Sequence, residues 1–485
     1  MRDTIIASPS TGLRGVVRAE GDKSLSHRGL IIASLALGTT RIRGLLAGED
    51  VLATAEALRA LGVMITPIAD ATYVTGVGLG GFVSPTQPLD LGNSGTSARL
   101  LAGVIAGSGV AATLCGDASL SARPMGRVIQ PLTAMGATIT ARDGDRLPMH
   151  VNGHIGGHVN GNMAGTAPPL SIDWVSEIAS AQVKSAILLA GLTARGWTSV
   201  TEPTPSRNHT ETMLAHFGAD IETTTSADGS YTASVLGEAA LTARDLDIGA
   251  DPSSAAFLAV AALICADSEV TLKEVILNPL RFGLYTTLQE MGADIVITNK
   301  RTLGGEEVGD IICRTSRLSG ITVPETRTAT MIDEYPILAV AAAFAEGEVH
   351  MPNIAELRLK ESDRIATMAA GLTQAGVQVK TTNDSMTIYG KGYGKGHGDK
   401  HSKGEKKPVA GGITIDARGD HRIAMAHAIL GLASQQAVTI HGSSSIKTSF
   451  PDFTRLVQKL GGNIIEQESE SNPDSDSLPN KGHPA

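Results

Sequence analysis

The sequence predicts an α/β protein of two similar halves, each holding three α/β units with buried helices. Three observations predict it. First, a helix end of the form Leu-x-x-x-Gly ahead of a strand start occurs six times, at Leu58–Gly62, Leu132–Gly136, Leu214–Gly218, Leu288–Gly292, Leu372–Gly376 and, in degenerate form, Val457–Gly461. Each glycine stands where a helix needs a left-handed C′ residue. Second, a series of helix starts near Gly21, Asn93, Ser180, Asp251, Ile332 and Gly419 is interleaved with these ends, and each runs into an Ala/Leu/Ile/Met-rich stretch. Third, aromatic residues make up 3% of the 485 residues while 42% are hydrophobic, so Ala, Leu, Ile and Val must fill the core. Small residues at helix contacts allow close packing.

Successive starts lie about 70 to 90 residues apart, longer than a solenoid repeat. The middle break falls near Asp245–Gly249, just before the fourth start. A helix that is apolar all round must be buried, and its polar N-terminus must face something. Six such N-termini converging on one cleft would make an anion-selective site, because free N–H groups and the positive end of the macrodipole point the same way.

The first start, Gly21-Asp22-Lys23-Ser24-Leu25-Ser26-His27-Arg28, has Asp22 or Ser24 as its cap and two cations in its first turns. The second, Gly92-Asn93-Ser94-Gly95-Thr96-Ser97-Ala98-Arg99, lets a ligand approach the backbone, with Asn93 or Ser94 as cap. Ser121-Ala122-Arg123-Pro124-Met125-Gly126-Arg127 then sets two planar forks, matched to carboxylate and phosphate, at a helix entry. The third start is Ser180-Ala181-Gln182-Val183-Lys184-Ser185, and Ser206-Arg207-Asn208-His209-Thr210-Glu211 opens the helix after it. The fourth, Asp251-Pro252, reads as structural, with proline behind an acidic cap. The fifth is Ile332-Asp333-Glu334-Tyr335-Pro336 and the sixth Gly419-Asp420-His421-Arg422. Between them, in Glu356–Arg364, Lys360 and Arg364 would share a helix face and repel unless an anion sat between them. Glu361 and Asp333 supply candidate acid and base groups.

Composition excludes several classes. A net charge of −9 gives no global attraction to nucleic acid or anionic membrane. Three scattered cysteines argue against a disulfide framework or a zinc cluster. No signal-peptide core or membrane-length apolar run is present, so a cytoplasmic protein is expected. Gly76–Gly81 satisfies a dinucleotide-binding pattern, but Phe82-Val-Ser-Pro cannot open the helix that pattern requires. His150, His154 and His158 have ligand-like helical spacing, yet Gly153, Gly156 and Gly157 favour a solvated loop. Lys391–Gly412 reads as a flexible insertion and 466–485 as a disordered tail.

The ordered set GDKSLSHR, LGNSGTSARL, SARPMGRVI, SAQVKSAILLAG, SRNHTETM, LRLKESDRI, GDHRIAMA and SFPDF, from Gly21 to Phe453, resembles the 5-enolpyruvylshikimate-3-phosphate synthase family. The resemblance implies an inside-out α/β barrel arrangement: two domains, each a pseudo-threefold assembly of α/β units with helices buried inside. The expected bounds are 18–244 for the first domain and 1–17 plus 245–465 for the second. It also implies transfer of the enolpyruvyl group of phosphoenolpyruvate to the 5-hydroxyl of shikimate-3-phosphate, with release of phosphate. No metal or organic cofactor is implied. The partners are two small anions, and a monomer is expected.

By the same resemblance Lys23 contacts both substrates and takes part in catalysis, while Ser24 and Arg28 bind shikimate-3-phosphate. Ser180, Ala181, Gln182 and Arg207 join that acceptor site, Ala181 standing where some members have a second serine. Gly95, Arg123, Gln182, Lys360, Arg364 and Arg422 fall on phosphoenolpyruvate. Asp333 is the proton acceptor and Glu361 the donor; Asp333 and Lys360 also border the acceptor. Two departures stand out: Glu356 replaces an asparagine of some members, and Lys447-Thr448-Ser449-Phe450 is one residue longer than the usual Lys-Thr-Phe. In this family a glycine at position 95 leaves room for the inhibitor glyphosate, whereas Arg207–Glu211 resembles a subclass often tolerant of it. Two rivals are weighed. A transferase acting on UDP-N-acetylglucosamine typically carries a Cys or Asp in the loop occupied here by Asp117–Ser121, while Cys115 lies upstream in a strand. A non-catalytic anion binder would not need Asp333 and Glu361 together.

Overall fold

In each of six successive segments a buried helix leads into a strand, an outer helix and a return to the same sheet. The structure, a computed structural model, describes residues 3–153, 158–159, 162–163, 168–392 and 409–467. The buried helices are Lys23–Leu35, Gly95–Ser108, Ala181–Gly191, Pro252–Ile264, Tyr335–Ala343 and His421–Ala433. Every residue of Pro252–Ile264 and Tyr335–Ala343 is buried, as all-round apolar sequence requires. The outer helices end at Gly62, Gly136, Gly218, Gly292, Gly376 and Gly461, all with φ between +85° and +102°. The predicted series of left-handed caps is therefore present in full.

In five of the six units the sheet has four strands, one edge strand of which pairs parallel to its neighbour, and a separate two-stranded ribbon pairs His158–Val159 with Asn162–Met163. In the fifth unit the sheet has three strands, Glu346–Met351, Met386–Lys391 and Gln378–Thr381. There, isolated bridges at Ser319 and Thr322 stand in for the missing strand, and Pro324 follows, which cannot donate to a ladder. Chain ends and unit ends interlock. Thr4–Ser8 lies between Val438–His441 and Asn463–Gln467 in the sixth sheet, and Arg14–Val17 pairs with Glu269–Ile276 in the fourth. Leu246–Asp247 returns to close the first sheet beside Leu37–Arg43.

Buried hydrophobic residues form two clusters. One runs from Leu25 to Ile248 and is joined by Ile276 and Val308; the other combines Ile5–Ala19 with Ala250–Ile464. The chain crosses between them twice, side by side. Asp22 N–H donates to the Gly249 carbonyl at 3.0 Å, and Asp251 N–H to the Glu20 carbonyl at 2.9 Å. A Cβ at Gly21 would lie 1.7 Å from the Gly44 carbonyl oxygen, so only glycine fits this crossing.

The margins of the predicted insertion belong to the fold: Lys391 ends the strand Met386–Lys391, and Gly412 N–H bonds the Ala437 carbonyl. Residues 393–408 lie outside the described residues, as does the predicted tail beyond Gln467, whereas Glu466 and Gln467 close the strand Asn463–Gln467. His154 also falls outside them, and the side chain of His158 is not described. Among the described residues no helix is long and apolar enough to cross a membrane, and no group of His, Cys, Asp and Glu is arranged to hold a metal ion. After the strand Ala71–Val77, residues 78–88 form no helix, which removes the dinucleotide reading of Gly76–Gly81.

Candidate active site

The capping side chains anchor the site. Asp22 caps the first buried helix by accepting from Leu25 N–H at 2.7 Å, Ser94 caps the second, Ser180 the third, Asp251 the fourth and Asp420 the sixth. The fifth, preceded by Glu334, has no side-chain cap hydrogen bond. The fourth start is more than structural. Buried Arg281 donates to Asp22 Oδ2 at 2.8 Å and to Asp251 Oδ1 at 3.1 Å, tying together the caps on either side of the crossing. Ser253, in the first turn of the fourth helix, donates to the Glu334 carboxylate before the fifth.

Around the first three buried-helix N-termini, whose residues belong to the Leu25–Ile248 cluster (the first lobe, the other cluster being the second), Lys23 pairs with Asp50 Oδ2 at 2.6 Å. Arg28 is buried and donates to Thr210 Oγ1 at 2.7 Å, Ser185 Oγ at 2.8 Å and the Ser24 carbonyl at 3.0 Å. Gly95 opens the second helix, and its carbonyl accepts from Arg99 Nη1 at 3.0 Å. The same Nη1 reaches Gln182 Oε1 at 3.0 Å, while Gln182 Nε2 donates to Thr96 Oγ1, so the second and third N-termini are cross-braced. Arg123 bonds Asn93 Oδ1 at 2.6 Å and Ser119 Oγ at 3.1 Å. It sits in the connector between the helices Ala118–Ala122 and Gly126–Ala134, with Pro124 ahead of the second, rather than at a helix entry. Ala181 is the first helical residue after the Ser180 cap.

On the second lobe the centre is Asp333. Its Oδ2 accepts from Arg207 Nη2 at 2.7 Å, a bond from the first lobe to the second, and its Oδ1 lies 3.5 Å from Lys360 Nζ and 3.6 Å from Arg364 Nη1. Arg422 Nη1 donates to the Asp333 carbonyl at 3.0 Å. Burial opposes ionisation of Asp333, but Lys360, Arg422, Arg207 and Arg364 outweigh it and hold the carboxyl well below the usual range. Glu361 accepts from Arg364 Nη2 at 2.5 Å; desolvation raises its carboxyl, yet Arg364 and then His421 bring it down to about 2. Buried Arg364 is also held by Asp420 Oδ2 at 2.9 Å.

Lys360 and Arg364 do meet at one anion, but not on one helix. Ala355–Leu359 is a 3₁₀ turn, Lys360 is extended, and the α-helix begins only at Arg364 because Asp363 caps it. The anion between them is Asp333 itself. Glu356 reaches Lys360 Nζ at 2.8 Å, so the replacement of asparagine adds a competing carboxylate there. Lys447 is exposed on the turn Ser443–Thr448 and lines a surface groove with Asp3, Pro451 and Glu466, none of them a predicted site residue. Sequence reasoning missed Arg281, which stands in Asn278-Pro279-Leu280-Arg281 without a motif, and Asp50. It also missed Arg99, whose signal was available: an arginine one helical turn after Gly95 in a stretch already marked as ligand-facing.

Five helix N-termini capped by side chains, cations gathered from both halves of the chain and two carboxylates among them make a site suited to small, multiply charged anions. The comparisons make this particular. The family model described as EPSP synthase (3-phosphoshikimate 1-carboxyvinyltransferase) matches residues 7–456, and the chain belongs to that family. It is 51% identical over 463 residues to the 3-phosphoshikimate 1-carboxyvinyltransferase of Parvibaculum lavamentivorans, covering 95% of this chain and 97% of that one. Against the Caulobacter vibrioides protein of the same name identity is 48%, over 95% and 98% of the two chains. Among solved structures it resembles EPSP synthase from Acinetobacter baumannii with a TM-score of 0.84 and 40% identity, covering 96% of this chain and all of that one. The enolpyruvyl transferase NikO from Streptomyces tendae shares the fold, with a TM-score of 0.69 and 17% identity over 96% and 99% of the chains.

Proposed function

We propose a division of labour for the cleft between two lobes, residues 18–244 and residues 1–17 with 245–465. The reaction transfers the enolpyruvyl group of phosphoenolpyruvate to the 5-hydroxyl of shikimate-3-phosphate and releases phosphate, a step of aromatic amino acid biosynthesis. Addition requires a proton at the methylene carbon of phosphoenolpyruvate while the attacking hydroxyl loses one; elimination takes a proton back from that carbon as phosphate leaves. Asp333 accepts the hydroxyl proton and Glu361 serves the carbon. The observation that carries this reading is the Asp333 carboxylate ringed by Arg207, Lys360 and Arg364, with Glu361 on the same Arg364.

The ionised state of both carboxyls fits these roles only once substrates bind. Phosphate and carboxylate groups entering the ring draw Arg207, Lys360 and Arg364 away, so Asp333 becomes more basic and Glu361 can take up a proton. Lys23 leaves Asp50 for the substrates, where it bridges donor and acceptor. Ser24, Arg28, Ser180, Ala181, Gln182 and Arg207 hold shikimate-3-phosphate, with Asp333 and Lys360 at its edge. Gly95, Arg123, Gln182, Lys360, Arg364 and Arg422 hold phosphoenolpyruvate. Because Arg207 and Asp333 come from the two lobes of one chain, a monomer suffices, and the chain works in the cytoplasm on diffusible anions. A phosphate-release assay with phosphoenolpyruvate and shikimate-3-phosphate tests this, with UDP-N-acetylglucosamine as the alternative acceptor. Release with the latter and not the former would overturn it.

A further inference from the structure

Below the acceptor half of the cleft lies a wholly buried ion cluster that the reaction above does not use. The Lys184 ammonium sits 3.0 Å from Glu202 Oε2 and 2.9 Å from Glu211 Oε1, donates to the Ser206 carbonyl at 3.2 Å, and lies 4.7 Å over the Tyr231 ring. Glu202 in turn accepts from Ser180 N–H at 2.6 Å and Ser206 Oγ at 2.6 Å, so it fixes the third helix cap and the loop that carries Arg207. One lysine facing two glutamates leaves a negative excess. The balancing cation is Arg28, which is also buried and whose hydrogen-bond partners are all neutral: Thr210, Ser185 and the Ser24 carbonyl.

Glu211 follows Thr210 directly in sequence, and its Oε2 is buried with no hydrogen-bond partner. After burial itself, Glu211 is the strongest influence on the Arg28 guanidinium, which burial draws down to about 10. A carboxylate so placed is a competitor for Arg28. We infer that Lys184 is a positioning residue: by engaging Glu211 it keeps that carboxylate off Arg28 and leaves the guanidinium open to an anionic group of the acceptor. The motifs SAQVK and RNHTE then belong together because the lysine of the first neutralises the glutamate of the second. The link to the phosphoenolpyruvate side is only indirect, through Gln182 on the same helix: no hydrogen bond or ion pair joins Lys184, Glu202 or Glu211 to Lys23, Gly95, Arg123, Lys360, Arg364 or Arg422 among the described residues.

This inference rests on the assignment of Arg28 to shikimate-3-phosphate, and steady-state kinetics on purified full-length variants separate the two. In Lys184→Met, Glu211 turns to Arg28, and the KM for shikimate-3-phosphate rises about tenfold or more, as expected for loss of one charge-assisted contact. The KM for phosphoenolpyruvate and kcat stay within about threefold. In Lys184→Met/Glu211→Gln the competitor is gone, and the KM for shikimate-3-phosphate returns to within about threefold of the parent although both charges are missing. Should the single variant fail to fold because two buried carboxylates lack a cation, Lys184→Met/Glu202→Gln carries the test: it leaves Glu211 as the one remaining carboxylate of the cluster, so the acceptor KM rises about tenfold, and a parent-like acceptor KM in that folded variant overturns the inference. An unchanged acceptor KM in a folded Lys184→Met, or a Lys184→Met/Glu211→Gln variant as impaired as the single, overturns the inference. So does a parallel change in both KM values and kcat. Arg28→Ala is the control: if it leaves the acceptor KM unchanged, the site assignment fails instead.

Discussion

Gly95→Ala probes the proposed phosphoenolpyruvate half of the site most directly. A Cβ at Gly95 would lie 2.8 Å from Arg99 Nη1 and 3.3 Å from Arg123 Nη1. To restore ordinary contact Arg99 must retreat by about 0.6 Å, and Arg123 by less. Arg99 Nη1 now holds the Gly95 carbonyl and Gln182 Oε1, each at 3.0 Å, and such a retreat takes at least one of these beyond hydrogen-bond range. Hydrogen bonds to a charged group contribute about 1.5–3 kcal/mol. Gln182 released from Arg99, or Arg123 displaced by the methyl, then holds phosphoenolpyruvate less well, and loss of one such charge-assisted contact corresponds to a rise of about tenfold in its KM. The acceptor KM should rise less, because Gln182 borders both substrates while Arg28 and Ser180 lie on other contacts. The assay is initial-rate phosphate release at saturating shikimate-3-phosphate, repeated with a glyphosate titration. Glyphosate inhibition should weaken by more than the donor KM rises, since the new methyl occupies the space the family resemblance assigns to the inhibitor. A donor KM within twofold of the parent, or equal losses at both substrates, would refute the reasoning.

Asp333→Asn should lower kcat by about a hundredfold to ten-thousandfold, the usual contribution of a positioned base, while both KM values hold or fall because four cations lose their internal counter-charge. Intact turnover with weakened binding would make Asp333 structural instead. Glu20, at the chain crossing, has a carboxyl raised from 4.5 to about 8 by burial first and Asp452 next, and its Oε2 has no hydrogen-bond partner. The folded chain keeps that proton to about pH 8 while the unfolded chain releases it near 4.5, so stability declines as pH rises between these values. Glu20→Gln should therefore raise Tm at pH 8 and leave it nearly unchanged at pH 5; parallel melting curves across that range would show that Glu20 does not titrate as described. The lobes should close when shikimate-3-phosphate replaces Asp333 on Arg207 and Asp50 on Lys23, with a smaller radius of gyration in solution scattering. Superimposable profiles with and without ligand would count against closure.

What could be read in the sequence and what could not divide along a physical line. Helix ends are local: a left-handed C′ glycine and a Ser or Asp cap act within a few residues, so the six glycines stand where spacing put them, and Asp22, Ser94 and Asp251 are the caps among the candidates read at the first, second and fourth starts. The fifth sheet departs from its siblings for a reason that is local as well, the Pro324 that ends its edge, but repeat counting averages such details away. Charge pairing is not local. Lys360 and Arg364 read as two cations awaiting a ligand, and nothing nearby in sequence reveals that Asp333, some thirty residues upstream, already occupies the place between them. In the same way nothing near Lys184 in sequence marks it as an internal counter-ion, whereas its ammonium is wholly buried on Glu202 and Glu211. The consequence concerns how an acidic protein holds two polyanions. Four of the cations proposed to meet the substrates, Lys23, Arg207, Lys360 and Arg364, each rest on a carboxylate of the chain, whereas Arg28 and Arg123 rest on neutral partners. On the proposed reading, substrate affinity at those four cations is the difference between a ligand anion and an internal one, and releasing Asp333 and Glu361 from their cations would be the same event that readies them to move protons.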